Sequence, residues 1–473
     1  MKILWTTLSL LSKDRYLRND EKYQIVAVNK SDNIFSSPIE KNIFLSEIIE
    51  EDYSVLQYES GMEYKGIPTG QVYLDEDGDI IDYQIVTLED HPGRLKYSVK
   101  NHNILISSLR LAKSPALMFD SLDLSEYVFS NGFYVFKVKE GWDQKFVLYV
   151  LRLKKLKQLL DNNLYRGIGI SAYRVEDLLR CEIMNISLAA QKEAIKKIEP
   201  IENQIRQLKT NLKKAEETID KVFQNEFGFD YDRFNLLKRI KVFFSQQSDF
   251  SNNPDLRFSA KFHRDAGNFV MKELTDITEK KIKHYLAEPI VLGASISPED
   301  YSEDGEFQYI SMATIKNWKF DTESANYVSK PYSDSKATKT VRKNDIILAR
   351  SGEGTIGKVA LIDDEDVNGV FADFTMRIRL KDYNPEFAYY YFRTSYFQYL
   401  IEIYKKGLGN NTNIFPIVIQ EFPLIDISLD EQQRIVDEIH AEIERQEETK
   451  TKIANLRNQI DSIIEEAITK GDE

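Results

Sequence analysis

Cysteine is nearly absent, since Cys181 is the only one in 473 residues. That excludes an intramolecular disulfide and any cysteine-based zinc site, and it fits a reducing cytoplasm. Cys181 itself reads as a small buried apolar side chain. Long apolar runs are missing too. The opening Met1-Lys-Ile-Leu-Trp5 stays apolar only briefly before Lys13-Asp-Arg15 and has no small-residue cleavage pattern, so neither a signal peptide nor a membrane span is expected. The five histidines, His91, His102, His263, His284 and His440, show no metal-ligand spacing. Gly352, Gly354 and Gly357 lack both the Gly-x-Gly-x-x-Gly spacing and a following helix signal, and no Walker lysine motif occurs. Asn384-Pro-Glu-Phe387 carries glutamate where an amino-methyltransferase motif needs a second proline. What remains for catalysis is a site of scattered carboxylates and lysines, which has little local signature.

The composition is that of a folding chain: 42% hydrophobic, 12% aromatic and 29% charged residues lie far from the corner where disorder lives. At this length roughly two to four compact units are expected. The formal net charge of -13 counts against unaided binding to a polyanion, because phosphate neutralisation needs Lys and Arg. The charge is uneven, however. Residues 1–99 hold 10 basic and 18 acidic side chains, whereas residues 100–187 hold 13 basic and 9 acidic. A local basic face can therefore exist on an acidic protein.

The chain is written twice. Val99-Lys-Asn-His-Asn-Ile-Leu-Ile106 matches Val341-Arg-Lys-Asn-Asp-Ile-Ile-Leu348 at an offset of 242, and the same offset lays Phe129 on Phe371 and Phe136-Lys-Val138 on Ile378-Arg-Leu380. With one residue lost, an offset of 241 lays Ile186-Ser-Leu188 on Ile427-Ser-Leu429 and Gln191 on Gln432. Nearer the start, Arg18-Asn-Asp-Glu-Lys-Tyr23 resembles Arg257-Phe-Ser-Ala-Lys-Phe262. Nearly constant offsets across a whole half identify an internal duplication.

Each half ends in a helical stretch. Ala194, Ile198, Ile201, Ile205, Leu208, Leu212, Ala215, Ile219 and Val222 step by four and three, as a coiled-coil seam does. The second copy gives Ile435, Ile439, Glu442, Gln446, Thr449, Ile453, Leu456, Ile460 and Ile463, with a polar middle that weakens pairing or fixes its register. Pro200 should kink the first helix near its N-terminal end. Two such helices in one chain most economically cover each other, as a rod on the order of 50 Å long; the plainer alternative is a hairpin serving only as core or dimer contact. The segments between them mix short β-branched and aromatic runs with turn clusters such as Leu74-Asp-Glu-Asp-Gly78, so each reads as an α+β head.

In the second half, Lys343-Asn-Asp-Ile-Ile-Leu-Ala-Arg-Ser-Gly352 is followed by Ile356-Gly-Lys-Val-Ala360, Pro385-Glu-Phe-Ala-Tyr-Tyr-Tyr-Phe392 and Gly407-Leu-Gly-Asn-Asn-Thr-Asn-Ile414. Then comes Phe422-Pro-Leu-Ile-Asp-Ile-Ser-Leu-Asp-Glu-Gln-Gln-Arg-Ile-Val436. In order and spacing these resemble the specificity subunits of type I restriction-modification systems. The first half is a diverged copy that keeps Gly167-Ile-Gly169, Val175-Glu-Asp-Leu178 and Leu188-Ala-Ala-Gln191 but loses the Ser-Gly and Gly-Lys loop. The resemblance implies an α+β fold with two similar target recognition domains, at 1–187 and 229–428. They are joined by two long helices, 188–228 and 429–473, forming an antiparallel coiled coil. It further implies a cytoplasmic, non-catalytic reader of a bipartite double-stranded DNA target, serving DNA methylation and phage defence. Its partners would be two DNA methyltransferase subunits and restriction/translocase subunits. No cofactor is implied on this chain, with S-adenosylmethionine, Mg and ATP expected on the partners.

Reading base edges needs loops that carry cations and amides. The second head offers Arg350 and Ser351 beside glycines, Lys358, Lys316 and Lys319 around Trp318, Lys405, Lys406, and the run Asn410, Asn411, Thr412, Asn413. The first offers Arg110, Lys113, the run Arg152-Leu-Lys-Lys-Leu-Lys157, and Tyr165-Arg166. Against this, the glycines can form a tight turn only, the 152–157 run can be a solvated helix face, and the amide run can cap the chain from Ile414 onward. Two other functions fit the same features: a coiled-coil adaptor whose heads bind proteins, and the specificity chain of a related restriction system whose partner fuses methyltransferase and nuclease.

Overall fold

The computed structural model describes residues 42–69, 73–109, 116–163, 172–240, 242–248, 259, 261–352, 354–407 and 411–470. Contacts divide the chain into two compact units, one of residues 1–211 with 450–473 and one of residues 212–449.

The first unit runs β1 (Asn42–Phe44), α1 (Leu45–Ile48), β2 (Ile49–Glu51), β3 (Ser54–Val55), β4 (Tyr64–Ile67), β5 (Gln84–Val86), β6 (Leu95–Ser98), β7 (Ile104–Ser107), β8 (Leu117–Met118), β9 (Tyr127–Ser130) and β10 (Phe133–Val138). Then follow α2 (Gln144–Arg152), α3 (Lys154–Asn163), α4 (Val175–Leu179), β11 (Glu182–Met184) and α5 (Leu188–Thr210). One sheet has the order β2-β10-β7-β8 and another β3-β6-β9-β4-β5. The strand β7 is buried at all four positions, which explains its unbroken Ile-Leu-Ile sequence, and Leu105, Leu117, Phe129, Phe133 and Val135 share one core.

The second unit contains α6 (Ala215–Phe227), α7 (Tyr231–Arg239), α8 (Asp265–Ile277), β12 (Val291–Leu292), β13 (Phe307–Ile310), β14 (Ile315–Lys316), β15 (Lys319–Phe320), β16 (Tyr327–Val328) and α9 (Lys330–Ser335). It continues with β17 (Ile346–Ala349), β18 (Val359–Leu361), β19 (Gly369–Phe371), β20 (Thr375–Ile378), α10 (Pro385–Arg393), α11 (Ser395–Tyr404), α12 (Pro416–Ile419) and the first part of α13 (Leu429–Lys470). Its sheets are β12-β20-β17-β18, β16-β13-β19 and the hairpin β14-β15.

The duplication persists at the level of individual pairings. In the first unit β10 pairs β7 from Phe133↔Ser107 to Phe136↔Ile104, and in the second β20 pairs β17 from Thr375↔Ala349 to Ile378↔Ile346, so every partner moves by the same 242 residues. Each unit also has a parallel pair, with Ile67 opposite Phe129 in one and Ile310 opposite Phe371 in the other. The turn before the central strand puts His102 and Asn344 at φ of 68° and 72°, a left-handed conformation at equivalent places.

The junction of head and helix is copied just as closely. Gln191 is buried, accepts from the Asp143 amide at 2.7 Å and donates to the Ile186 carbonyl at 3.1 Å. Gln432, 241 residues on, accepts from the Asn384 amide at 2.8 Å and donates to the Ile427 carbonyl at 2.8 Å. Asp143 and Asn384 are also the N-caps of α2 and α10, receiving Phe146 and Phe387 amides.

The first helical stretch is not continuous over 188–228. It runs through Pro200 without ending, stops at Thr210, and resumes at Ala215. The interruption therefore falls at residues 211–214 rather than at the proline. Within the second unit the backbone amide of Lys213 donates to Gln446 Oε1 at 2.9 Å, so a side chain from the polar middle of the seam replaces a helical acceptor. In the same unit Arg434 meets Glu226 and Lys213 meets Gln446, so α6 and the 429–449 part of α13 run in opposite directions.

Of the seam positions, Ile198, Ile205, Ile219, Ile439, Ile453 and Ile460 are buried, whereas Ile201, Leu208, Leu212, Leu456 and Ile463 are half-buried. Near the end of α13 the buried face passes to Ile464 and Ile468 instead of Ile463. In the second unit the seam also feeds the core of the head: Phe223 packs on Phe387 and Tyr391 with ring centroids 5.6 and 6.1 Å apart.

Candidate nucleic-acid interface

Three segments of the second unit meet where β17 ends. Ser351 and Lys406 both bridge to Asn413, with Lys406 and Asn413 exchanging backbone hydrogen bonds of 2.8 Å, and the Ile414 amide donates to the Arg350 carbonyl at 2.9 Å. The loop after Ser351 turns on Gly352, Gly354 and Gly357, all at positive φ, which L side chains adopt only at a cost. Gly407 has a φ of 108°, and a Cβ there would lie 2.2 Å from the Asn411 carbonyl oxygen, so only glycine allows the backbone at 407 to come this close to Asn411.

Arg350 is the centre of this cluster. Its Nε donates to the Asp373 carbonyl at 2.9 Å and its Nη1 to Asn413 Oδ1 at 3.0 Å. The guanidinium lies over the rings of Phe374 and Phe415, 5.7 and 6.0 Å from their centroids. Both rings are exposed, Phe374 by 45% and Phe415 by 42%. Among the described residues Nη2 has no protein partner.

The other second-head candidates divide into those turned inward and those turned outward. Ser351 is buried and its hydroxyl donates to the Thr412 carbonyl at 3.1 Å. Thr412 is buried as well, and among the described residues its own hydroxyl has no hydrogen-bond partner. Lys405 pairs with Glu402 at 2.6 Å. Lys358 is half-buried in the glycine loop and Asn411 is exposed. Lys316 and Trp318 are not brought to this cluster. Lys316 pairs with Asp321 at 2.6 Å across the β14–β15 hairpin. The Trp318 indole donates to Glu216 Oε1 at 2.5 Å, while the Trp318 carbonyl accepts from Tyr389 at 2.7 Å.

Arg110, Lys113, Tyr165, Arg166 and Asn410 lie outside the described residues. The basic run that begins at Arg152 is largely engaged within the first unit. Arg152 donates to the carbonyls of Ala116 and Asp77 at 2.7 and 2.6 Å, Lys154 pairs with Asp461 at 3.8 Å, and Lys155 with Glu465 at 2.6 Å.

Sequence reasoning missed the two exposed phenylalanines. Phe415 carried a signal, since it stands directly before Pro416 at the start of α12, where a loop ring has no core to enter. The assembled cluster offers one arginine nitrogen, a half-buried lysine, a side-chain amide and two exposed rings. That is a donor-rich, partly apolar surface of the kind that reads base edges and thymine methyl groups. Among the described residues no group of three or more His, Cys, Asp and Glu is placed to hold a metal ion, and no helix is long and apolar enough to cross a membrane.

Residues 268–458 match the family model described as the type I restriction modification DNA specificity domain. No curated protein matches the chain in sequence. Among solved structures the chain is similar to one from a study of complex assembly and conformational transition of the type I R-M system, at 14% identity and a TM-score of 0.47, covering 90% of this chain and 97% of that one. It is also similar to the HsdS subunit of Thermoanaerobacter tengcongensis, at 13% identity and a TM-score of 0.34, covering 90% and 96% of the two chains. A third is the type I restriction-modification S subunit of M. genitalium, at 12% identity and a TM-score of 0.37, covering 90% and 95%.

Proposed function

We propose that this chain, which carries a type I restriction modification DNA specificity domain over residues 268–458, is the sequence-reading subunit of such a system and catalyses nothing itself. The observation that carries the reading beyond the matched segment is the repetition of the same strand pairings and the same buried glutamine junction in the first unit. A second head of the same construction is what a bipartite target requires.

The heads would be residues 1–187 and 229–428, and the helical stretches 188–228 and 429–473 would pair as an antiparallel coiled coil. The opposed run of α6 and α13 within the second unit supports that pairing. In the second head Arg350, Lys358, Lys405, Lys406, Asn411 and Asn413 would face DNA, with Phe374 and Phe415 beside them. Two methyltransferase subunits would bind the chain, and restriction/translocase subunits would join them. Adenine extrusion and methyl transfer would take place in the partner. The net charge of -13 supports this division of labour, since much of the phosphate contact must then come from the partners.

The test is the methylome of a host carrying the gene beside that of the same host with the gene disrupted. The expected result is one split adenine-methylated motif that vanishes on disruption. An unchanged methylome, with no methyltransferase retained by the tagged chain, rejects the reading in favour of a protein-binding adaptor.

A further inference from the structure

The turn at residues 75–79 of the first unit is an acidic loop, and two cations hold it. Arg457, on the 450–470 part of α13, donates from Nε to Asp77 Oδ1 at 2.9 Å and from Nη2 to Asp77 Oδ2 at 2.7 Å, and also contacts Glu76. Lys209, on α5, is surrounded by Asp75, Asp77 and Asp79, the last two at 3.0 and 2.7 Å. Burial alone would push Asp77 up, but the hydrogen bonds and charges of Arg457 and Lys209 outweigh it and hold the carboxyl below its usual 3.8.

The second unit holds its corresponding turn in the same way with different chemistry. Trp318 stands 241 residues after Asp77, and the residue that grips it, Glu216 on α6, stands 241 residues before Arg457. The arginine behind each turn is repeated too. Arg152 donates to the Asp77 carbonyl, while Arg393, 241 residues later, lies over the Trp318 ring at 5.5 Å. Both ends of each contact, and its support, therefore obey the offset of the duplication. Arg457 and Glu216, the two helix positions related by the offset, each belong to the other half of the sequence from the turn they hold, whereas Lys209 belongs to the same half as its turn.

We propose that Arg457 and Glu216 are equivalent positioning residues, each fixing one DNA-recognition head by its turn to a helix contributed by the opposite half of the duplicated chain. The first clasp is a bidentate ion pair backed by a lysine among three carboxylates; the second is an indole N–H on a carboxylate. Each clasp is internal to one unit, so each can be released without touching the other. The proposal rests on the reading of the heads as DNA-recognition units.

The test uses the full chain, alone and assembled with its methyltransferase partner. Arg457→Ala should speed amide exchange at residues 73–81 about tenfold and leave 316–321 unchanged, and Glu216→Ala should do the reverse; a factor of ten is about 1.4 kcal/mol of local opening. Arg457→Lys should restore most of the protection. Lys197→Ala, which removes only an exposed pair with Glu193 on α5, should change neither turn. In the assembled complex both alanine variants should methylate targets with a spacer one base pair longer or shorter about tenfold better, relative to the native spacer. If Arg457→Ala does not fold, Trp318→Phe, which deletes the indole N–H alone, gives the same readouts for the second clasp. Unchanged exchange in both turns overturns the clasps, and faster exchange with unchanged spacer discrimination overturns their positioning role. A wild-type complex that methylates no DNA overturns the reading of the heads instead, and the exchange data then stand separately.

Discussion

Arg350 shows how far residue type and residue role can be separated by reading alone. A cation beside three glycines is legible as a candidate contact, and the amide Asn413 was legible beside it, because both residue types serve base edges. Their mutual hydrogen bond was not legible, since they stand 63 positions apart in the sequence. Ser351 and Thr412 have the chemistry of readers but turn inward, and Trp318 sits between lysines yet is taken by Glu216. Arg350→Ala is expected to weaken methylation of targets carrying the half-site read by the second head about 10- to 100-fold, the roughly 1–3 kcal/mol of one good base contact. It should also lower thermal stability, because the Asp373 carbonyl and Asn413 Oδ1 lose their donor. Methylation rates on matched oligonucleotide duplexes would check this, and equal loss on every base at each position would reduce Arg350 to a phosphate contact.

At the scale of elements, the strands and the helix starts were readable because they are written twice in matching apolar patterns. The interruption at residues 211–214 was not, because Leu212, Lys213 and Lys214 are good helix formers and only Gln446, far along the chain, shows where the freed amide goes. The drift of the seam from Ile463 to Ile464 is equally silent in the sequence, where both are isoleucine. The glutamine junction supports a sharper expectation. Gln191→Leu and Gln432→Leu each strand a partly buried backbone amide and a carbonyl, which is buried at Ile186 and partly buried at Ile427, at about 1–3 kcal/mol apiece. Each substitution should lower the melting temperature by several degrees, read by calorimetry of the full chain. Leucine variants as stable as wild type would mean the junction is held by packing alone.

For the whole molecule, the proposed function requires an acidic chain to borrow its attraction to DNA. The chain alone is expected to bind a duplex bearing its target only weakly. The complex with its methyltransferases should bind tightly, with log K falling steeply against log salt. Fluorescence anisotropy over a salt series separates the two, and tight, specific binding by the isolated chain would contradict the proposed sharing of phosphate contacts.

Between Val138 and the capping Asp143 the first copy has four residues, 139–142, where between the aligned Leu380 and the capping Asn384 the second has three, 381–383. The gain or loss falls in the surface turn and stops short of the capped amide that the glutamine grips. A buried carboxamide with both ends engaged thus acts as a gauge of length: a deletion one step further along would present it with the wrong backbone group, so the turns of this gene can lengthen or shorten while the entrance to each helix cannot.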